Sequence, residues 1–139
     1  TYLTELIAKH RMQNHITLIQ EPITNEELPF FYTMAHAFIT VSRDMKKEGN
    51  VEGFGIVFIE ANACGIPVIG GRSGGTPDAV ADGVTGFLVN PEDDREIVEK
   101  IALVLNDSEL AHQLGSQGRT RVLSDFDWDK LVHSFEQIL

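Results

Sequence analysis

Three observations predict an α/β fold for this 139-residue chain, with a mostly parallel sheet and helices on both faces. Short apolar strands alternate with helix-length amphipathic stretches. Two glycine-rich turns follow strands, at the edge where open α/β sheets bind ligands. A hydrophobic fraction of 42% with mixed charges belongs to a globular domain able to bury a core.

The elements follow in order. Residues 2–12 predict an amphipathic helix with Leu3, Leu6 and Ile7 on one face. Residues 16–19 read as a short strand. Thr24 is placed as the N-cap of a helix near 25–35, with acids in its first turn and Pro29 early enough to be tolerated. Residues 37–41 form the next strand, a continuous apolar run suited to burial on both faces. A polar loop, 42–51, follows. The helix after Gly53 ends at Cys64-Gly65-Ile66-Pro67, a C-cap glycine and then a proline. Residues 67–70 are a strand, 70–75 a glycine-rich turn, and Thr76 caps a short helix through Ala81. Asp82-Gly83 turns the chain into a last strand, Gly86–Val89. Helical segments at about 93–105, 108–123 and 127–138 complete it, with Asp93, Ser108 and Asp127 as N-caps.

The formal net charge is −10, from 11 basic and 21 acidic residues. Nucleic acid and anionic membranes both require a basic face, so neither is expected as the main partner. The single Cys64 excludes an internal disulfide and, without a Cys/His cluster, a zinc site. No signal peptide and no apolar run of membrane length is evident, so a cytoplasmic chain is expected. No metal and no cofactor is expected.

The chemistry concentrates in EGFGIVFIE, from Glu52 to Glu60. A helix start bounded by Gly53 and Gly55 exposes free N–H groups and the positive dipole end, which suits a phosphate. Glu60 lies about six residues on, or roughly 9 Å at ~1.5 Å per residue. That is about the distance from a diphosphate to the ribose of the same nucleotide, and an ionised Glu accepts from two hydroxyls. The surrounding helix is apolar nearly all round, so Glu60 must reach a cleft or a partner. The second candidate loop is Ser73-Gly74-Gly75-Thr76. Neither loop is a dinucleotide fingerprint or a Walker loop: the third glycine and the Lys-Ser/Thr pair are absent. Asp78 reads as a first-turn acid, and the five histidines read as surface or packing residues. Asp125, Asp127 and Asp129 read as caps, and Trp128 as a core anchor.

Together these motifs resemble the C-terminal, nucleotide-sugar-binding domain of family-four retaining glycosyltransferases of the GT-B fold. The resemblance is carried by Ser42-Arg43, EGFGIVFIEANACGIPVIG, GGTPDAV and DGVTGFLVNPEDD, in the family's order. It implies a Rossmann-like sheet and a GDP- or UDP-sugar donor as substrate. It implies that Glu52, the catalytic candidate, faces the donor sugar together with Gly53, Phe54 and Gly55, which also meet the diphosphate. Glu60 would hold the ribose, and Ser73, Gly74 and Gly75 would lie near the transferred sugar. The longer loop before Glu52 is similar to that of mannosyltransferases making phosphatidylinositol mannosides, and of bacterial surface-polysaccharide transferases. The alternatives are a non-catalytic nucleotide- or sugar-binding module and a GT-B sugar-nucleotide epimerase relative.

The resemblance also implies that residues 1–139 are a single, partial domain. The strands read here would be numbers three to six of a 3-2-1-4-5-6 sheet. The diphosphate-binding Arg and Lys of the family would lie upstream of Thr1, and Arg43, Lys46, Lys47 and Arg72 match neither. Strand 16–19 is then expected to pair with a second molecule, to re-pair beside 37–41, or to belong to a longer polypeptide. The glycan or lipid acceptor would be bound by an N-terminal domain, and the 139 residues alone are expected to be inactive. In the longer protein, peripheral contact with the inner membrane is expected.

Overall fold

The computed structural model describes residues 1–42, 53–127, 130 and 132. The described residues form a parallel sheet in the order β1-β2-β3, namely Phe38–Thr40, Val68–Gly71 and Gly86–Val89. Phe38 pairs with Val68, and Val68 with Gly86, which fixes the register. The helices are α1 (Tyr2–Lys9), α2 (Leu28–Met34), α3 (Ile56–Ala63), α4 (Thr76–Ala79), α5 (Asp94–Asn106) and α6 (Ser108–Asp125).

The strand period of two decides the layers. Val68 joins Tyr32, Phe58, Ala61, Ala79, Val80 and Leu88 in one apolar cluster. Its neighbour Ile69 joins Val89, Val104 and Leu114 in another. Helices α2, α3 and α4 therefore cover one face, while α5 and the middle of α6 cover the other. Close approach demands glycine at two seams. A Cβ on Gly86 would collide with the Val68 carbonyl, and one on Gly115 with the Gly65 carbonyl.

The local signals act as expected at several ends. Gly65 takes φ +77, and the amides of Gly65 and Ile66 return to Asn62 and Ala61, closing α3. The Asp93 carboxylate accepts from the amides of Arg95 and Glu96. Thr24 and Glu27 bond reciprocally, the Glu27 carboxylate accepting from the Thr24 amide and Thr24 Oγ1 from that of Glu27. Contrary to expectation, Thr24 does not cap the helix: residues 25–27 are a turn, and α2 begins at Leu28 with Glu27 as its N-cap. Asp127 Oδ1 accepts the Lys130 amide at 3.2 Å, as a cap should. Trp128, Asp129 and most of the segment 127–138 lie outside the described residues.

Five further expectations are corrected. Residues 16–19 form no strand: Ile16 and Ile19 are exposed and no described strand flanks them. Unpaired, an extended segment cannot satisfy its backbone in a ladder. Helix α1 stops at Lys9, short of 12, because Arg11 turns left-handed at φ 57 and the Met12 amide bonds back to Ile7. Strand β1 is not buried on both faces, since Ile39 stays 38% exposed at the sheet margin. Asp107, one residue before Ser108, caps α6 by accepting the Leu110 amide. Thr76 is not a cap either: Gly75 holds that position, and Thr76 is buried.

Candidate functional site

The first loop ends in a backbone conformation that favours glycine. Gly55, the N-cap of α3, sits at φ 79 and ψ 50, where a side chain is strained. A Cβ there would also come within 2.7 Å of Phe58 Cδ2. The next amides, Ile56 and Val57, occupy the first helical turn, where an α-helix provides no internal acceptor.

The second loop follows β2 and meets the first. The Gly75 amide donates to the Gly53 carbonyl at 3.0 Å. A Cβ on Gly75 would collide with that carbonyl, so this contact requires glycine. Gly74 is left-handed at φ 52. Ser73 is buried and its Oγ donates to the Ser42 carbonyl at 2.8 Å. Beneath both loops lies the Phe58 ring. A Cβ on Gly70 would meet it at 3.0 Å and Thr76 Cγ2 at 2.7 Å. Thr76 and Phe58 thus form a floor under the two turns.

Glu60 reaches a cleft, as its apolar surroundings require. It is half-buried, and the Tyr32 hydroxyl donates to its Oε2 at 2.9 Å. The two line a cavity of about 330 Å³ together with Asn25, Leu28, Pro29, Ala63 and Cys64. Burial, then the bond to Glu60, push the Tyr32 phenol well above its ordinary pKa. It stays a protonated donor at neutral pH. Burial also raises the Cys64 thiol, with Arg119 opposing and Glu60 reinforcing the shift.

The arginines of this region hold backbone. Arg72 bonds Asp82 Oδ2 at 3.2 Å and the Leu88 carbonyl at 3.0 Å. Asp82 in turn accepts the Leu88 amide. Arg119 caps the end of α3 through the Ala63 carbonyl. Arg121 donates to the carbonyls of Ala79 and Asp78. Its guanidinium also lies 5.0 Å from the Phe126 ring, which packs on Phe54 at 5.6 Å. The end of α6 is thereby tied to the first loop through Phe54 and to α4 through Asp78 and Ala79.

Of the site residues expected from sequence, the turn Gly53-Phe54-Gly55 and the turn Ser73-Gly74-Gly75 meet where Gly75 abuts the backbone of Gly53 and Phe54, with Ser73 buried beneath. Glu60 opens to the cleft along α3. Glu52 lies outside the described residues, as do Arg43, Lys46 and Lys47. Asp78 is a first-turn acid of α4. Sequence reasoning missed Tyr32 and Arg121. Tyr32 sits on the apolar stripe of α2 and carries the pattern of any core aromatic. The buried middle of α3 could still have prompted a search for a donor to Glu60.

A family model for the group 1 glycosyl transferases matches residues 1–121. The chain belongs to that family. Within it, a GDP-mannose-dependent alpha-(1-6)-phosphatidylinositol monomannoside mannosyltransferase of Mycolicibacterium smegmatis is 42% identical over 106 residues. That match covers 76% of this chain and 28% of the relative. Among solved structures, the sucrose-phosphate synthase of Thermosynechococcus elongatus superposes with a TM-score of 0.86 at 32% identity, over 98% of this chain and 32% of that one. The Anabaena protein HepE, in complex with UDP-glucose, superposes with a TM-score of 0.84 at 22% identity. This match covers 99% of this chain and 35% of HepE, and speaks to fold alone. The chain spans about a third or less of the length of the relative and the two solved structures it matches. The expected GT-B-type resemblance is borne out at the level of family and of the Rossmann-like fold. Among the described residues, no helix is long and apolar enough to cross a membrane.

Proposed function

We propose that these residues form the donor-holding part of a longer, retaining glycosyltransferase that moves a hexose from a nucleotide sugar to a glycan or lipid acceptor. The observation that carries this is the bond from the Gly75 amide to the Gly53 carbonyl. It brings two glycine-rich turns together beside a helix start, with the Glu60 cleft further along the same helix. The first-turn amides of α3 would receive the diphosphate, and Glu60 the ribose hydroxyls. Glu52 and the Ser73–Gly75 turn would face the sugar.

In this reading the nucleoside diphosphate departs as the acceptor hydroxyl attacks from the same face, so the anomeric configuration is retained. The protein's contribution is electrostatic, through donors aimed where charge develops on the leaving oxygen. Arg72 and Arg121 are committed to backbone carbonyls, so cations for the diphosphate would come from elsewhere in the protein. A GDP-mannose donor is favoured by the Mycolicibacterium smegmatis relative, whose name specifies that donor. The enzyme would act in the cytoplasm, in cell-envelope polysaccharide or glycolipid synthesis.

The test is transfer by the full-length polypeptide from GDP-mannose and UDP-glucose, with the product's anomeric configuration read by NMR. Transfer with the configuration retained in wild type, and loss of transfer in Glu52→Ala, support the reading. Inversion, or no transfer from any nucleotide sugar although the nucleotide binds, overturns it in favour of another activity or a binding module.

A further inference from the structure

We propose that Tyr32 is a positioning residue of the donor site: its hydroxyl commits one oxygen of Glu60 to the protein so that the other is presented to a ribose diol. The inference rests on the ribose role given to Glu60 above and adds how that carboxylate is held. Glu60 projects from a helix and, left alone, its carboxylate would turn freely about its terminal torsion. The 2.9 Å bond from Tyr32 removes that freedom.

Tyr32 can do this because its own ring is locked. It is 7% exposed and meets Phe38 edge to face, with centroids 5.4 Å apart and planes at 71°. Phe38 meets Phe58 in the same manner at 5.8 Å. Phe58 lies two residues before Glu60 on α3, and its ring supports Gly55 and Gly70. An unbroken aromatic stack therefore links the floor of the two loops to the donor that aims Glu60. Packing alone would be served by Phe. The hydroxyl has a reason to be there because it meets the one carboxylate among the described residues of the cavity lining, and a carboxylate with one bond filled keeps acceptor sites for two further hydroxyls. Burial and the bond itself keep the phenol protonated, so Tyr32 remains a donor at neutral pH.

The test measures binding of GDP and UDP, and of their 2′-deoxy counterparts, to the full-length polypeptide by calorimetry. Wild type, Tyr32→Phe and Glu60→Ala are compared, with thermal melting as a control on folding. Tyr32→Phe leaves the bonds from Glu60 to the ribose possible but no longer orients the carboxylate, so ribonucleotide binding should weaken about three- to tenfold, less than the loss of a bond to the ligand itself. The 2′-deoxy nucleotides should lose less, so the ribose preference shrinks. With donor sugar, KM should rise by a similar factor while kcat changes less. If Tyr32→Phe keeps the wild-type ribose preference while Glu60→Ala abolishes it, Tyr32 only packs, and the inference is wrong. Equal weakening of ribo- and deoxynucleotides would overturn it in the same way. If Glu60→Ala itself keeps the preference, the ribose reading has failed, and the inference falls with it.

Discussion

Residues 1–23 and residues 53–125 are written in the same local code, yet only the second stretch builds a core. Helix α1 carries Leu3, Leu6 and Ile7 on one face, and not one of its residues is buried. With His10, Met12, Ile16 and Leu18 they line an apolar groove of about 340 Å³. Helix α3, also eight residues long, buries Phe58, Ala61 and Asn62. The difference lies in what each helix faces. Helix α3 lies against β2, the central strand, whereas no described strand comes beside residues 16–19. An amphipathic face thus becomes a core only when another element supplies the opposing surface, which for α3 is the sheet.

The comparison breaks first at Phe58. Truncation to Ala opens a cavity beneath both glycine loops and should cost about 3–5 kcal/mol, measured by urea denaturation. Leu6→Ala in α1 should cost less than about 1 kcal/mol, because little burial is lost. Equal losses at the two positions would mean that the first stretch is part of the same cooperative core. A smaller effect is expected where Asp93 caps α5. Asp93→Ala should lower stability by about 1 kcal/mol and leave nucleotide binding unchanged, since the cap lies outside the site.

The smallest effect belongs to the Thr24–Glu27 pair, which directly follows the first stretch. Glu27 is held below the ordinary glutamate pKa, first by the Thr24 amide and then by its hydroxyl. A depressed pKa in the folded state stabilises above the unfolded value, and that gain disappears as pH falls through the folded one. NMR titration should show Glu27 titrating low in wild type and returning towards the ordinary value in Thr24→Ala. An unshifted Glu27 in wild type would mean that the pair does not form in solution.

Much of the second stretch was legible in sequence because its signals are local. Gly65, Asp93 and the strand Gly86–Val89 each declare themselves within a few residues. The two loops were legible as separate turns, but their joining through Gly75 and Gly53 depends on tertiary placement. Thr76 was misread because a hydroxyl before a helix resembles a cap, while its methyl is needed in the floor against Gly70. Arg72 and Arg121 carry no sequence mark of the carbonyls they bind. The segment 16–19 failed for the opposite reason: its local pattern was adequate, and the partner that would realise it is not among the described residues.

In the proposed donor site the Glu60 cleft, beside the paired glycine turns, is the nucleoside end. Calorimetric titration of GDP and UDP into wild-type and Glu60→Ala full-length polypeptide tests it most directly. One of these nucleotides should bind wild type saturably and one-to-one, and bind Glu60→Ala at least about tenfold more weakly, the loss expected when hydrogen bonds to a charged group are removed. Equal affinity for the two proteins would contradict this placement.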